Sequence, residues 1–211
     1  MITVLCVGTA TGVGKTSVGT DVLRDLRARG LSVAARKPVQ SFDPDNEPLT
    51  DADRLAEVTG EDRHTVCPEH RWYPIRLNPP IAAMVLGLPE FTNADLSAEL
   101  EQPAGADVLW VETIGGPLSP MTSDGDSADV ARWLFPDLIV LVADAGRGTI
   151  NAVRLAAGPF AGRRLVVMLN RYESNEVCSQ NQTWLAFNGF EVVVDTADLA
   201  AVVLSSNRSL T

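Results

Sequence analysis

Val7-Gly8-Thr9-Ala10-Thr11-Gly12-Val13-Gly14-Lys15-Thr16 is the stretch that decides how this chain is read. A short apolar run, 2–7, precedes it and suits a buried strand; a helical pattern over 15–29 follows. Between strand and helix, the glycines let successive backbone N–H groups curl inward, and the helix adds its positive N-terminus. Together these cradle phosphate oxygens. Gly12, Val13, Gly14, Lys15, Thr16 and Ser17 are therefore the candidate nucleotide-phosphate segment. Lys15 is placed to reach β- and γ-phosphates, and the Thr16 hydroxyl to ligate Mg²⁺. One departure stands out: the general pattern G-x-x-x-x-G-K-[ST] puts glycine where this chain has Thr9, its glycine falling at Gly8.

Outward from the loop, apolar runs of strand length recur at 31–37, 107–112, 137–143, 164–169 and 191–194. They are rich in Val, Leu and Ile rather than alternating, as strands buried on both faces of a parallel sheet are. Helical patterns are expected at 52–59, 94–101, 127–133, 151–157 and 176–188, and the stretch 42–50 as a long loop. The alternation predicts an α/β fold with a mostly parallel central sheet and helices on both faces. One nucleotide-binding domain accounts for residues 1–211. Ligands of such sheets sit beyond the carboxyl ends of the strands. Gly8, Lys37, Glu112, Asp144 and Asn170 all lie there, so one cleft can gather them.

Composition narrows the function. Of 211 residues, 27 are acidic and 17 basic, a net charge of −10. No Lys/Arg cluster is interleaved with aromatics, which argues against nucleic acid or an anionic membrane as partner. No apolar run reaches the roughly 18 residues of a membrane span, and the opening run lacks a basic flank, so it reads as a strand rather than a leader. Cys6, Cys67 and Cys178 are odd in number and widely spaced, which favours a reducing, cytoplasmic setting over a disulfide framework. In that setting the sequons at Asn181 and Asn207 are chance matches. His64-x-x-Cys67-x-x-His70 fits no standard zinc spacing, and Pro68 interrupts it.

Two further positions carry chemistry. Lys37 precedes Pro38 at the end of the second strand and is held extended there, able to point into the cleft. Glu112 ends an apolar strand and is followed by Thr113-Ile114-Gly115-Gly116. Enzymes with this loop carry a metal-binding acid at that place, and the paired glycines admit close approach of a ligand. Asp51 and Asp53 flank the start of a short helix, where each singly reads as a cap.

With these residues in place the chain resembles the dethiobiotin synthetases. Five blocks carry the resemblance: Gly8–Thr16, Lys37-Pro38-Val39-x-Ser41, Pro79-Pro80-x-Ala82-Ala83, Val111-Glu112-x-x-Gly115-Gly116 and Gly148-Thr149-Ile150-Asn151. The resemblance implies ATP and Mg²⁺, a dimer, and 7,8-diaminopelargonic acid with CO2 or bicarbonate as substrates. It implies catalytic roles for Lys15, Lys37, Thr11 and Ser41. By the same comparison Thr11, Lys37, Ser41 and Asn151 contact substrate. Thr16, Glu112 and Asp53 surround the metal, with Asp51 left open as the alternative acid. Gly115, Gly116 and Asn170 complete the nucleotide site, Asn170 where the family reads the adenine edge. Ala10 stands where many members carry an acid, and Thr113-Ile114 where Gly-Ala is usual. Two other readings share the loop. One is a different ATP-dependent ligase of the superfamily. The other is a partition-type ATPase switch, which carries a lysine at the place of Ala10 and lacks the Lys-Pro-Val block.

Overall fold

The computed structural model describes residues 1–206; the Asn207 sequon and the last residues of the expected domain lie outside them. The strands are β1 (Ile2–Gly8), β2 (Val33–Arg36), β3 (Gln40–Ser41), β4 (Trp72–Tyr73), β5 (Val108–Glu112), β6 (Leu138–Asp144), β7 (Leu165–Asn170) and β8 (Glu191–Val193). Six of them form one sheet in the order β2-β5-β1-β6-β7-β8, every neighbouring pair parallel. The short β3 and β4 pair separately, also in parallel.

Period-two alternation feeds two cores. Val4 and Cys6 of β1, Trp110 of β5 and Val140 of β6 face one side. There they meet α1 (Lys15–Ala28), α2 (Asp51–Thr59), α3 (Arg63–Val66) and α9 (Thr196–Leu204). Leu5, Val7, Leu109, Val111 and Ile139 face the other. They pack on α4 (Pro79–Leu86), α5 (Asn93–Glu99) and α6 (Ser127–Leu134). Farther along, Leu141, Val167 and Leu169 cover α7 (Thr149–Ala157) and α8 (Glu176–Phe187). Such double burial is why the strands read as continuous apolar runs. Gly19 brings α1 close to the sheet: a Cβ there would stand 2.7 Å from the Trp110 indole nitrogen.

The expected strands and helices are present with shifted ends, and several elements were not anticipated. The segment 31–37 is a strand only over Val33–Arg36. Leu31 instead closes the turn after α1, its N–H donating to Leu26 O, and Lys37 N donates sideways to Val66 O. α4 and α9 escape a periodicity reading because they are short and largely apolar. α3 and the β3–β4 pair span too few residues to show a period. Among the described residues no helix is long and apolar enough to cross a membrane. Cys6, Cys67 and Cys178 are free and buried.

Candidate active site

After β1 the chain crosses through α1 to β2, beyond β5 on one side, whereas after β6, the neighbour on the other side, it crosses away to β7, so the loop after Gly8 opens where neighbouring connections diverge. Gly12 (φ 77°) and Gly14 (φ 92°) adopt the left-handed backbone that the loop requires. Gly14 caps α1, and a Cβ on it would collide with the Asn170 amide. Asn170 Nδ2 donates to Val13 O at 2.9 Å, so the end of β7 props the loop from outside.

Strand alternation sets the floor. Trp110 faces α1, and therefore so does Glu112 two residues on. Arg36 pairs with Val111, which brings Lys37 alongside Glu112. Lys37 Nζ contacts Glu112 Oε1 at 2.6 Å and Asp51 Oδ2 at 2.8 Å. The Thr16 hydroxyl lies 2.8 Å from Asp51 Oδ1 and 2.8 Å from Glu112 Oε1. Lys15 Nζ donates to Gly115 O at 3.2 Å. Lys15, Lys37 and Glu112 are all buried.

Burial sets the ionisation of each group, and the charges then modify it. Burial would depress the Lys37 ammonium, but Asp51 and Glu112 outweigh it and hold the group raised. Burial works upward on Asp51 too, yet Lys37 and the Thr16 hydroxyl bring it down to about 2. In Glu112 burial wins: its carboxyl stays raised despite Lys37, with Asp51 pushing the same way. Lys15 is lowered, by burial first and then by Lys37. One ammonium thus serves two acids while a second stands beside it with no carboxylate in hydrogen-bond contact.

This donor set fits a divalent cation. A hydroxyl carries one proton, so Thr16 cannot donate to Asp51 and Glu112 together. Glu112 Oε2 is buried without a partner. A cation bound by Thr16, Asp51 and Glu112 relieves both conflicts. Mg²⁺ suits them, since it takes one or two carboxylates and leaves its other positions to water and phosphates.

Asp53, expected in the metal shell, is not among these groups. Its carboxylate accepts from the backbone N–H and hydroxyl of Thr50, while Thr50 caps α2 by accepting from Asp53 N. Such a capping box turns the side chain back along the helix end. Arg63 holds its other oxygen at 3.4 Å. Asp51, at the first position of α2, faces the cleft instead. Asp51→Asn is therefore expected to raise the Mg²⁺ concentration needed for half-maximal activity by tenfold or more. Asp53→Asn should leave it unchanged and cost about 1 kcal/mol of stability, by weakening the Asp53 half of the capping box and its contact with Arg63. Mg²⁺ titrations of activity beside thermal melts of both variants distinguish the two; equal Mg²⁺ dependence in both would exclude the assignment to Asp51.

A cleft of about 770 Å³ lies above this floor. Thr11, Gly12, Gly14, Lys15, Thr16, Lys37, Ser41, Asp51 and Gly115 line it, together with Arg54, Arg76 and Ile81. The Ser41 hydroxyl is buried without a hydrogen-bond partner, poised for a ligand. Of the two residues that stand where Gly-Ala is usual, Ile114 lines the cleft, while Thr113 turns its hydroxyl to Cys6 O at 3.2 Å. Gly116 lies against the loop, where a Cβ would stand 3.2 Å from Thr9 O. Val13 is buried under the loop, and Ser17 is exposed on the first turn of α1. Neither they, Gly116 nor Asn170 lines the cleft. Asn151 stands exposed near the start of α7, also outside it, so the single chain does not bring it to the two lysines. Sequence reasoning missed Arg171, whose guanidinium reaches the loop at Gly12 O; it follows Asn170 directly, which was the available signal.

A family model described as an AAA domain matches residues 2–196. The ATP-dependent dethiobiotin synthetase of Anaeromyxobacter sp. (strain Fw109-5) is 35% identical over 187 residues, covering 88% of this chain and 81% of that protein. The enzyme of the same name from Caulobacter vibrioides (strain NA1000 / CB15N) is 35% identical over 190 residues, 87% of this chain and 85% of its own. Among solved structures, a putative plasmid partition protein from Borrelia burgdorferi B31 bound to AMPPNP aligns with TM-score 0.53, 12% identity and 97% coverage of each chain. The signal recognition particle receptor FtsY from Elizabethkingia anophelis aligns with TM-score 0.54, 14% identity, 97% of this chain and 64% of that one. These distant structures share the fold alone. The sequence relatives, alike over most of both chains, go further: this chain belongs to the ATP-dependent dethiobiotin synthetase family.

Proposed function

We propose that this protein carries out, in one catalytic domain, the ATP-dependent carboxylation and ring closure of 7,8-diaminopelargonic acid with CO2, yielding dethiobiotin, ADP and phosphate. The observation that carries the reading is the convergence of Lys15, Lys37, Asp51 and Glu112 at the floor of one cleft beside the phosphate loop. An amine of the substrate takes up CO2 as a carbamate, losing a proton. The carbamate oxygen attacks the γ-phosphorus, ADP departs, and a carbamic–phosphoric anhydride remains. The second amine attacks its carbonyl carbon, closes the ureido ring and expels phosphate.

Carbamate and triphosphate are both anions. Two unit charges about 4 Å apart repel by about 4 kcal/mol at an effective dielectric near 20. Lys15 and Lys37 oppose that repulsion from fixed positions in a largely enclosed floor. Mg²⁺, held by Thr16, Asp51 and Glu112, would add further positive charge on the phosphates. Thr11 and Ser41 orient the amine or carbamate end, and the rest of the cleft brings the second amine onto the carbonyl, making ring closure intramolecular. Asn170 borders the region where the base lies. The protein acts as a cytoplasmic homodimer, and Asn151 serves the substrate carboxylate at the contact between copies.

The decisive measurement is phosphate release with ATP, Mg²⁺ and bicarbonate, with and without the diamine, and mass detection of product. Release should depend on the diamine and be matched by dethiobiotin. Diamine-independent hydrolysis stimulated by a protein partner would favour an ATPase switch instead.

A further inference from the structure

Two consecutive residues at the end of β7 hold two consecutive carbonyls of the phosphate loop. Asn170 Nδ2 donates to Val13 O at 2.9 Å, and Arg171 Nη2 donates to Gly12 O at 2.7 Å. Arg171 has a positive φ of 55°, uncommon outside glycine. At this turn the guanidinium lies across the loop. Its Nη1 contacts Asp144 Oδ2 at 3.1 Å, and Asp144 Oδ1 accepts from Gly146 N at 2.9 Å. Asp144 and Asn170 are register partners on adjacent strands, so the bridge is anchored in the sheet. A peptide whose carbonyl is drawn outward turns the following N–H inward. Fastening Gly12 O and Val13 O from outside therefore aims the N–H groups of Val13 and Gly14 at the phosphate position before nucleotide arrives.

We propose that Arg171, braced by Asp144, is a positioning residue that preorganises the phosphate loop for ATP. The proposal rests on the nucleotide-binding reading above. Preorganisation of this kind lowers the ordering that binding must otherwise impose. It acts on affinity and not on the phosphoryl-transfer step, since neither side chain belongs to the floor formed by Lys15, Lys37, Asp51 and Glu112.

The test uses Arg171→Ala, Arg171→Lys and Asp144→Asn in the whole protein, with ATP binding measured calorimetrically, steady-state kinetics, and amide hydrogen exchange of residues 12–14 in the nucleotide-free state. Arg171→Ala should weaken ATP binding and raise KM for ATP by about tenfold, the scale of one lost charge-assisted hydrogen bond, with kcat within twofold. Exchange at 12–14 should quicken without ligand, which loss of a direct ligand contact would not cause. Arg171→Lys should recover part of the affinity. Asp144→Asn should weaken ATP binding less and add nothing further in the Arg171→Ala background. Unchanged affinity and exchange in Arg171→Ala, or a loss confined to kcat, would overturn the proposal; so would full additivity of the Asp144 variant. If the unaltered protein bound no ATP, the nucleotide reading itself would fall, and the proposal with it.

Discussion

Lys15→Ala is expected to eliminate dethiobiotin formation, lowering kcat by about 10²- to 10³-fold or more, the scale seen when one preorganised charge-stabilising donor is removed. Lys15 is buried, and its ammonium donates to a backbone carbonyl, Gly115 O. Burial and the neighbouring Lys37 lower its pKa, so the charge is held at some cost in a place where triphosphate would relieve it. The fold should survive, because the bond that is lost is to a backbone carbonyl of a residue lining the cleft and leaves no carboxylate stranded. Product measured by mass, alongside circular dichroism, checks both halves. A folded variant keeping more than a tenth of wild-type kcat would refute the role.

Lys37→Ala should fail differently. Lys37 stands between Asp51 and Glu112 and is itself buried, so its removal leaves two carboxylates facing one another. Breaking a buried pair in this way costs on the order of 3–5 kcal/mol, and the melting temperature should fall accordingly. Added Mg²⁺ should recover much of that loss, because a cation binding the folded state alone restores the missing charge. Turnover should nevertheless remain low by about 10²-fold or more, while ATP affinity changes by only a few-fold, since Lys37 follows the end of β2 and is not in the phosphate loop. Collapse of ATP binding with kcat retained would place Lys37 at the nucleotide and not at the carbamate.

The two lysines also mark how far the chain could be read before it was folded. Short-range order sufficed for much of it. Strand, glycine loop and Gly-Lys-Thr are contiguous, so the phosphate site follows from residues 7–16 alone. Unbroken apolar runs announce strands covered on both faces, and Glu112 at the end of one is aimed by the period of two. Other features rest on contacts far apart in the chain. Asp51 and Asp53 look alike in sequence as acids at a helix start. Only the fold turns Asp53 into the cap partner of Thr50 and points Asp51 at Thr16, 35 residues away.

Arg171 is the extreme case: its partner Gly12 is 159 positions distant. What the sequence by itself determined was the sheet, the loop and the kinds of chemical group at the strand ends, because periodicity and turn chemistry act between neighbours. What only the tertiary structure decided was which acid faces Thr16, that one ammonium is shared between two carboxylates, and what holds the loop carbonyls. Those are set by strand order and by burial, and both arise from pairings that no local pattern encodes.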